Sequence, residues 1–299
     1  MTRDEGVLPW RVRRPRDVAG FLSPAVRREA AGRGVDAASL WGSGAGGRVT
    51  LADVRRVAVA ATAARGDEVV PFNNVRRRAA AMLLASKRTS AHTLTVTVAD
   101  YSAVESVRRA TRDAWRAREG FSLTYLPFVA RAVVDALGAF PLVNSSVSEH
   151  GDALVVHRAV NLGIAVDLDF QGLVVPVVRD ADGLRLRAIA RAVHDLATRA
   201  RAKKLKPDDL AGGTFTITNP GASGTWISFP VLNQPQVAIL STDGVSKQVV
   251  ADARGRLAIA PVGRLCLTFD HRAFDGAYAA AFLERVREIL ETRDWAAEL

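Results

Sequence analysis

The stretch that most constrains this chain is "RLCLTFDHRAFDGAYAAAFLERVREILET", residues 264–292. It begins as an apolar strand, breaks into Asp270, His271, Arg272, Asp275 and Gly276, and continues as a long amphipathic helix. A strand feeding such a helix needs a sheet with helices packed against it. Titratable groups at that junction are either a turn with a satisfied histidine or the base of an active site.

The chain has 299 residues, room for one large domain and a small one, and at 48% hydrophobic it can bury a sizeable core. Its single cysteine, Cys266, excludes an intrachain disulfide and fits a reducing compartment. The N-terminus "MTRDEGVLPW" lacks the basic-then-apolar order of a signal peptide. No apolar run reaches the roughly 18 residues of a membrane helix. The expected location is the cytoplasm, with no membrane partner. The net charge of +10 is spread along the chain. It reads as a solvated arginine-rich surface, or as an attraction for phosphate-bearing or acidic partners. No basic helix with interleaved aromatics marks a nucleic-acid site. No metal site is expected.

Residues 1–16 read as a flexible, charged arm. A small all-helical unit follows over 17–56. In it Ser23 N-caps a helix with Pro24 in its first turn, Gly32 or Gly34 ends that helix, and Thr50 caps a second. The alanine-rich 57–68 reads as a linker. From 69 to 299 strand and helix patterns alternate without a strict βαβ rhythm. The expected fold class is α/β (α+β), two-layer, with a mixed sheet and helices on one face.

Two resemblances are carried by ordered motifs. "SPAVRREAAGRGVD" and "WGSGAGGRVTLADV" resemble the peripheral-subunit-binding domain of 2-oxoacid dehydrogenase complexes. That resemblance implies a docking module for a dehydrogenase component, with Arg27 and Arg48 at partner-binding positions. "VRRRAAAMLLASKRTSAH", "FPLVNSSV", "VNLGIAVD", "GLVVPVVRDADGLRL", "LAGGTFTITNPGASGTW", "NQPQVAIL" and "DHRAFDG" together resemble the dihydrolipoamide acyltransferase core of the same complexes. The implied fold is the CoA-dependent acyltransferase fold, shared with chloramphenicol acetyltransferase. The implied assembly is a homotrimer with active sites between subunits.

The resemblance assigns His271 as general base, since an imidazole titrates near neutral pH. It assigns Thr218 as the hydroxyl donor to the oxyanion. Asp275 is assigned as a residue that fixes the loop and the histidine. Read without the family, Thr218 is a strand threonine facing solvent and Asp275 a loop cap. CoA contacts carry over to Arg108, Thr124, Asp167, Thr218, Asn219 and the turn Asp243–Val245. Arg108 is implied to pair with a phosphate, or else is a solvated helix arginine. At that turn the family reads "LGVG", whereas this chain has Ser241, Thr242, Asp243 and Gly244, which places a carboxylate where glycine backbone approaches the cofactor.

Larger cubic or dodecahedral cores use an apolar C-terminal tail. Here "TRDWAAEL" offers only Trp295 and Leu299, so an isolated trimer is expected. No lysine before the small unit can take a lipoyl group, so no tightly bound cofactor is expected and CoA acts as a substrate. Two acceptor readings follow. The first is a stand-alone enzyme acylating, and by resemblance acetylating, a small hydroxyl-bearing metabolite such as a tetronate in natural-product biosynthesis. The second is a dihydrolipoamide acyltransferase served by a lipoyl domain in trans, its 17–56 unit held by a dehydrogenase component or carrier protein.

Overall fold

The computed structural model describes residues 22–40, 42–60, 67–68, 70–220, 224–251 and 254–299. The expected arm over 1–16, the start of the small unit at 17–21 and 61–66 of the expected linker lie outside the described residues. The chain divides into two compact units, Met1–Pro71 and Phe72–Leu299.

In the first unit, α1 spans Pro24–Gly32 and α2 spans Leu51–Ala60. Ser23 caps α1 by accepting from the Val26 amide at 3.3 Å, and Gly34 turns the chain with φ +62°. Val26, Ala30, Ala37, Leu40, Val49 and Val54 form its core. Asp53 is the polar pin. Its buried carboxylate accepts from the amides of Ser43 and Thr50, both at 2.9 Å, and from the Thr50 hydroxyl at 2.8 Å. Burial alone would raise its pKa, but these bonds outweigh it and hold the group below the usual carboxylate range. The helix runs four residues into the span expected as linker, because Val57-Ala58-Val59-Ala60 contains no breaker and alanine is the best helix former.

A methyl group on Gly42 would lie 2.1 Å from the Arg48 carbonyl carbon. Gly42→Ala therefore forces the backbone apart in a unit with six buried core residues among those described. It should destabilise this unit by about 3 kcal/mol, enough to melt most domains of its size. Hydrogen exchange should show lost protection over 24–60 with unchanged protection in the second unit.

The second unit opens with α3 (Asn74–Thr89) and β1 (His92–Asp100), followed by α4 (Ser102–Glu119) and α5 (Leu126–Ala139). The short hairpin β2 (Ser145–Val147)/β3 (Leu154–Val156) leads to β4 (Leu162–Ile164), β5 (Val166–Asp167), β6 (Leu173–Val174) and β7 (Val177–Val178). Then come α6 (Leu186–Arg201), β8 (Phe215–Thr218), β9 (Ala238–Thr242), β10 (Ser246–Ala251), β11 (Leu257–Asp270) and α7 (Gly276–Thr292). The main sheet has the order β1-β11-β9-β8-β4-β7, with β10 paired to the first half of β11. β4, β8 and β9 run parallel and the other pairs antiparallel, so the sheet is mixed.

The period of two along a strand sorts this sheet into two chemistries. Phe215, Ile217, Leu240, Leu265, Leu267 and Phe269 join the core built with α4–α7. Thr216, Thr218, Ser241, Cys266, Thr268 and Asp270 alternate with them and form the opposite, polar face. Nine of the 14 residues of α5 are buried, so it reads as continuously apolar and packs against both α6 and α7. Trp295 is 1% exposed, packs edge-on against Phe128 and donates to the Leu290 carbonyl at 3.1 Å. It belongs to its own chain's core and is not a free apolar tail. No helix among the described residues is long and apolar enough to cross a membrane.

Candidate active site

His271 stands at the first position after β11, on a turn fixed by its neighbours. Its amide donates to the Ala91 carbonyl at 2.9 Å, and the Asp270 amide donates to the Val237 carbonyl at 2.8 Å. Asp270 is 1% exposed. Its carboxylate accepts from Arg272 Nη2 at 2.7 Å and Nε at 3.0 Å, and from the amides of Arg272 and Ala91 at 3.1 and 3.2 Å. Burial pushes the Asp270 carboxyl up, but the Arg272 bonds lead a set that brings it below its ordinary value. The backbone of Ala91 thus grips the histidine turn from both sides, through its N–H and its C=O.

The held backbone leaves the imidazole outside. The His271 side chain is 46% exposed, and its Nδ1 lies 3.7 Å from Asp275 Oδ1. Asp275 occupies the N-cap of α7 without a side-chain capping bond, and its side chain is 87% exposed. Its carboxylate is therefore uncommitted to the helix and adjacent to the ring. Arg272→Ala leaves the buried Asp270 carboxylate without its charged partner, held only by the neutral Ser90 side chain and backbone amides. Discounted for the 42% exposure of the arginine side chain, the loss should be about 2 kcal/mol. A lowered melting temperature with a parallel loss of activity would register it.

Thr218 ends β8, half-buried, on the polar face. Register fixes its distance from His271 within one chain: Thr218 pairs with Ser241, and Ser241 with Cys266. His271 lies five residues beyond Cys266, about 16 Å along the strand and two strand spacings, about 10 Å, across. One chain does not bring the two together.

Arg108 is paired with Glu105, Nε to Oε2 at 2.7 Å and Nη2 to Oε1 at 3.1 Å, and its guanidinium lies 4.9 Å over the Tyr125 ring. Tyr125 also donates to Glu105 at 2.6 Å. Burial opposes ionisation of Glu105, yet the bonds from Arg108, Tyr125 and Arg109 win and hold it at about 2. Thr124, next to Tyr125, is exposed, and so are Asp167 at the end of β5 and Asn219 just past β8. Arg27 and Arg48 are exposed on the first unit.

Asp243 corrects an expectation. Its side chain, expected at a cofactor surface, is 3% exposed and points into the protein. It accepts from the Ser228 amide at 3.2 Å, the Ser228 hydroxyl at 2.6 Å, the Ser241 hydroxyl at 3.3 Å and the Cys266 thiol at 3.2 Å. Burial works against its charge, but the Ser228 bonds lead those that keep its pKa below the usual range. Burial likewise pushes the Cys266 thiol up to about 12, which makes it unreactive. Val245 packs half-buried against the core, so its backbone, rather than its side chain, is the surface of this turn.

Sequence reasoning missed the pairs that hold the site. Asp270 and Arg272 were signalled by a carboxylate two residues before an arginine at a strand end. Glu105 was signalled by arginines at i+3 and i+4 on one helix. The Ser228–Asp243 bond joins residues with no local signal.

Similarity to known proteins agrees with this geometry. The sequence matches the 2-oxoacid dehydrogenases acyltransferase (catalytic domain) family over residues 64–297 and the e3 binding domain over 20–55. It is 34% identical to the lipoamide acyltransferase component of the branched-chain alpha-keto acid dehydrogenase complex of Bacillus subtilis, over 91% of this chain and 71% of that protein. It is 36% identical to the dihydrolipoyllysine-residue succinyltransferase component of the Escherichia coli 2-oxoglutarate dehydrogenase complex, over 90% and 70%. A solved structure, a probable dihydrolipoamide acetyltransferase from Listeria monocytogenes, superposes with a TM-score of 0.73 at 35% identity, covering 76% of this chain and 95% of that one. The chain belongs to the 2-oxoacid dehydrogenase acyltransferase family: it is a CoA-dependent acyltransferase that carries a small subunit-binding domain.

Proposed function

We propose that this protein transfers an acyl group between CoA and a dihydrolipoyl thiol, at sites shared by neighbouring chains of a homotrimer. The observation that carries this reading is the separation of His271 from Thr218 within one chain, while each sits exposed or half-buried at its own edge of the polar sheet face. Two half-sites on one chain make whole sites when copies meet around a threefold axis.

In the forward direction the thiol of one substrate attacks the thioester carbonyl of the other. His271 takes the thiol proton as the C–S bond forms, and the Thr218 hydroxyl of the neighbouring chain donates to the oxyanion. The tetrahedral intermediate collapses, the C–S bond to the leaving thiolate breaks, and that thiolate receives the proton from His271. Asp275, beside Nδ1, keeps the ring turned toward the channel. Arg108, Thr124, Asp167, Asn219 and the backbone of 243–245 line the path of CoA. Arg108 shares its guanidinium with Glu105, so it serves as an oriented rather than a free cation.

The named relatives belong to 2-oxoacid dehydrogenase complexes, and this favours a dihydrolipoyl acceptor over a hydroxyl-bearing metabolite. The 17–56 unit would dock a dehydrogenase component through Arg27 and Arg48. Incubation with acetyl-CoA and dihydrolipoamide, followed by free CoA release, tests the reading. Rapid release that depends on dihydrolipoamide is expected. Release with hydroxylated acceptors and none with dihydrolipoamide would contradict it.

A further inference from the structure

On the polar sheet face, Thr218, Ser241 and Cys266 stand side by side across three strands. Asp243, two residues past Ser241, turns its buried carboxylate back onto this row. The donors Ser228 N–H, Ser228 O–H, Ser241 O–H and Cys266 S–H are all neutral. A buried carboxylate needs such bonds to remain charged, so the donors are held as firmly as the carboxylate.

Two of those bonds come from Ser228, far from Asp243 in structure-forming terms: no strand joins their segments. Two further contacts tie the same segment down. The Gly244 amide donates to the Thr225 carbonyl at 3.1 Å. The Arg264 guanidinium lies 3.2 Å from the centre of the Trp226 ring, while the Arg264 carbonyl accepts from the Asp243 amide at 3.1 Å. Residues 225–228 are therefore fastened at three points to 243, 244 and 264. Yet Trp226, Ile227 and Phe229 remain 63%, 50% and 49% exposed. A fixed backbone that displays three large apolar side chains beside the turn 243–245 is a contact surface rather than a loose loop.

We propose that Asp243 is a positioning residue: through Ser228 it fixes residues 225–229 against the turn 243–245, and the exposed aromatic side chains form one wall of the channel for the slender, largely apolar pantetheine arm of the CoA thioester. The inference rests on the site proposed above, in particular on Thr218 and the 243–245 turn. The carboxylate acts on substrate only through the segment it holds.

The test uses the full chain and steady-state kinetics with acetyl-CoA and dihydrolipoamide. Ser228→Ala and Asp243→Asn should raise KM for acetyl-CoA about tenfold, the size of one hydrogen bond to a charged group, with kcat falling less than KM rises. Ser228→Thr, which keeps the hydroxyl, should restore KM to within about threefold of wild type. KM for dihydrolipoamide should stay unchanged. An unchanged KM for acetyl-CoA overturns the proposal. So does a rise for dihydrolipoamide instead, or a loss of kcat that only tracks loss of assembled protein. Thr218→Ala, run alongside, separates the two levels: if it is inactive while the Ser228 variants keep a normal KM, the clamp alone fails. If it keeps full rate, the site fails and the clamp with it.

Discussion

His271→Ala should lower kcat for acetyl transfer from CoA to dihydrolipoamide by about 10³-fold, within the 10²–10⁴ range of a lost general base. The fold should survive. The ring is half-exposed, and the bond that holds the turn is made by the His271 amide to Ala91, which alanine keeps. KM for acetyl-CoA and for dihydrolipoamide should change little, because the base acts on a proton in transit and not on the bound arms. The measurement is a rate at saturating substrate, with circular dichroism to confirm folding. A variant that retained a tenth of the wild-type rate would remove His271 from the mechanism.

Thr218→Ala should cost about 10²–10³-fold in kcat, the usual effect of removing one donor to an oxyanion. Thr218→Ser, which keeps the hydroxyl, should recover most of the rate. Thr218 is the last residue of β8 and only half-buried, so its change to alanine should not move the melting temperature by more than a degree or two. The contrast between alanine and serine separates a donated hydrogen bond from packing: a purely structural threonine would tolerate both.

The catalytic candidates were legible because they sit where local pattern is strong. His271 follows an apolar strand and precedes an amphipathic helix, and the observed β11 and α7 meet there. Ser23 and Thr50 were legible as caps for the same reason. What escaped was set by distant pairing. β10 and the first half of β11 form an exposed ribbon, with Val249 and Ile259 opposite each other at 68% and 72% exposure. Polar residues are interleaved there, so no single-strand run stood out. The short β2/β3 hairpin also lacked a run of useful length. The carboxylate of Asp243 was expected at a cofactor surface, and only the fold shows that Ser228 and Cys266 reach it from the inner side. Chain ends obey the same rule. Trp295 looked like a spare apolar side chain in a polar tail, but the groove beside Phe128 takes it in.

The central claim is that one working site uses His271 of one chain and Thr218 of another. Co-assembly of the two inactive variants tests it directly. In a trimer mixed from equal amounts of His271→Ala and Thr218→Ala chains, a site is intact when an intact histidine meets an intact threonine across an interface. With random mixing each condition holds half the time, so about a quarter of the wild-type activity should return. Recovery near that level in co-expressed protein, and none when preformed variants are combined without exchange, is the predicted result. Co-assembled trimers as inactive as either parent would contradict the account, because each chain would then have to supply both groups to its own site.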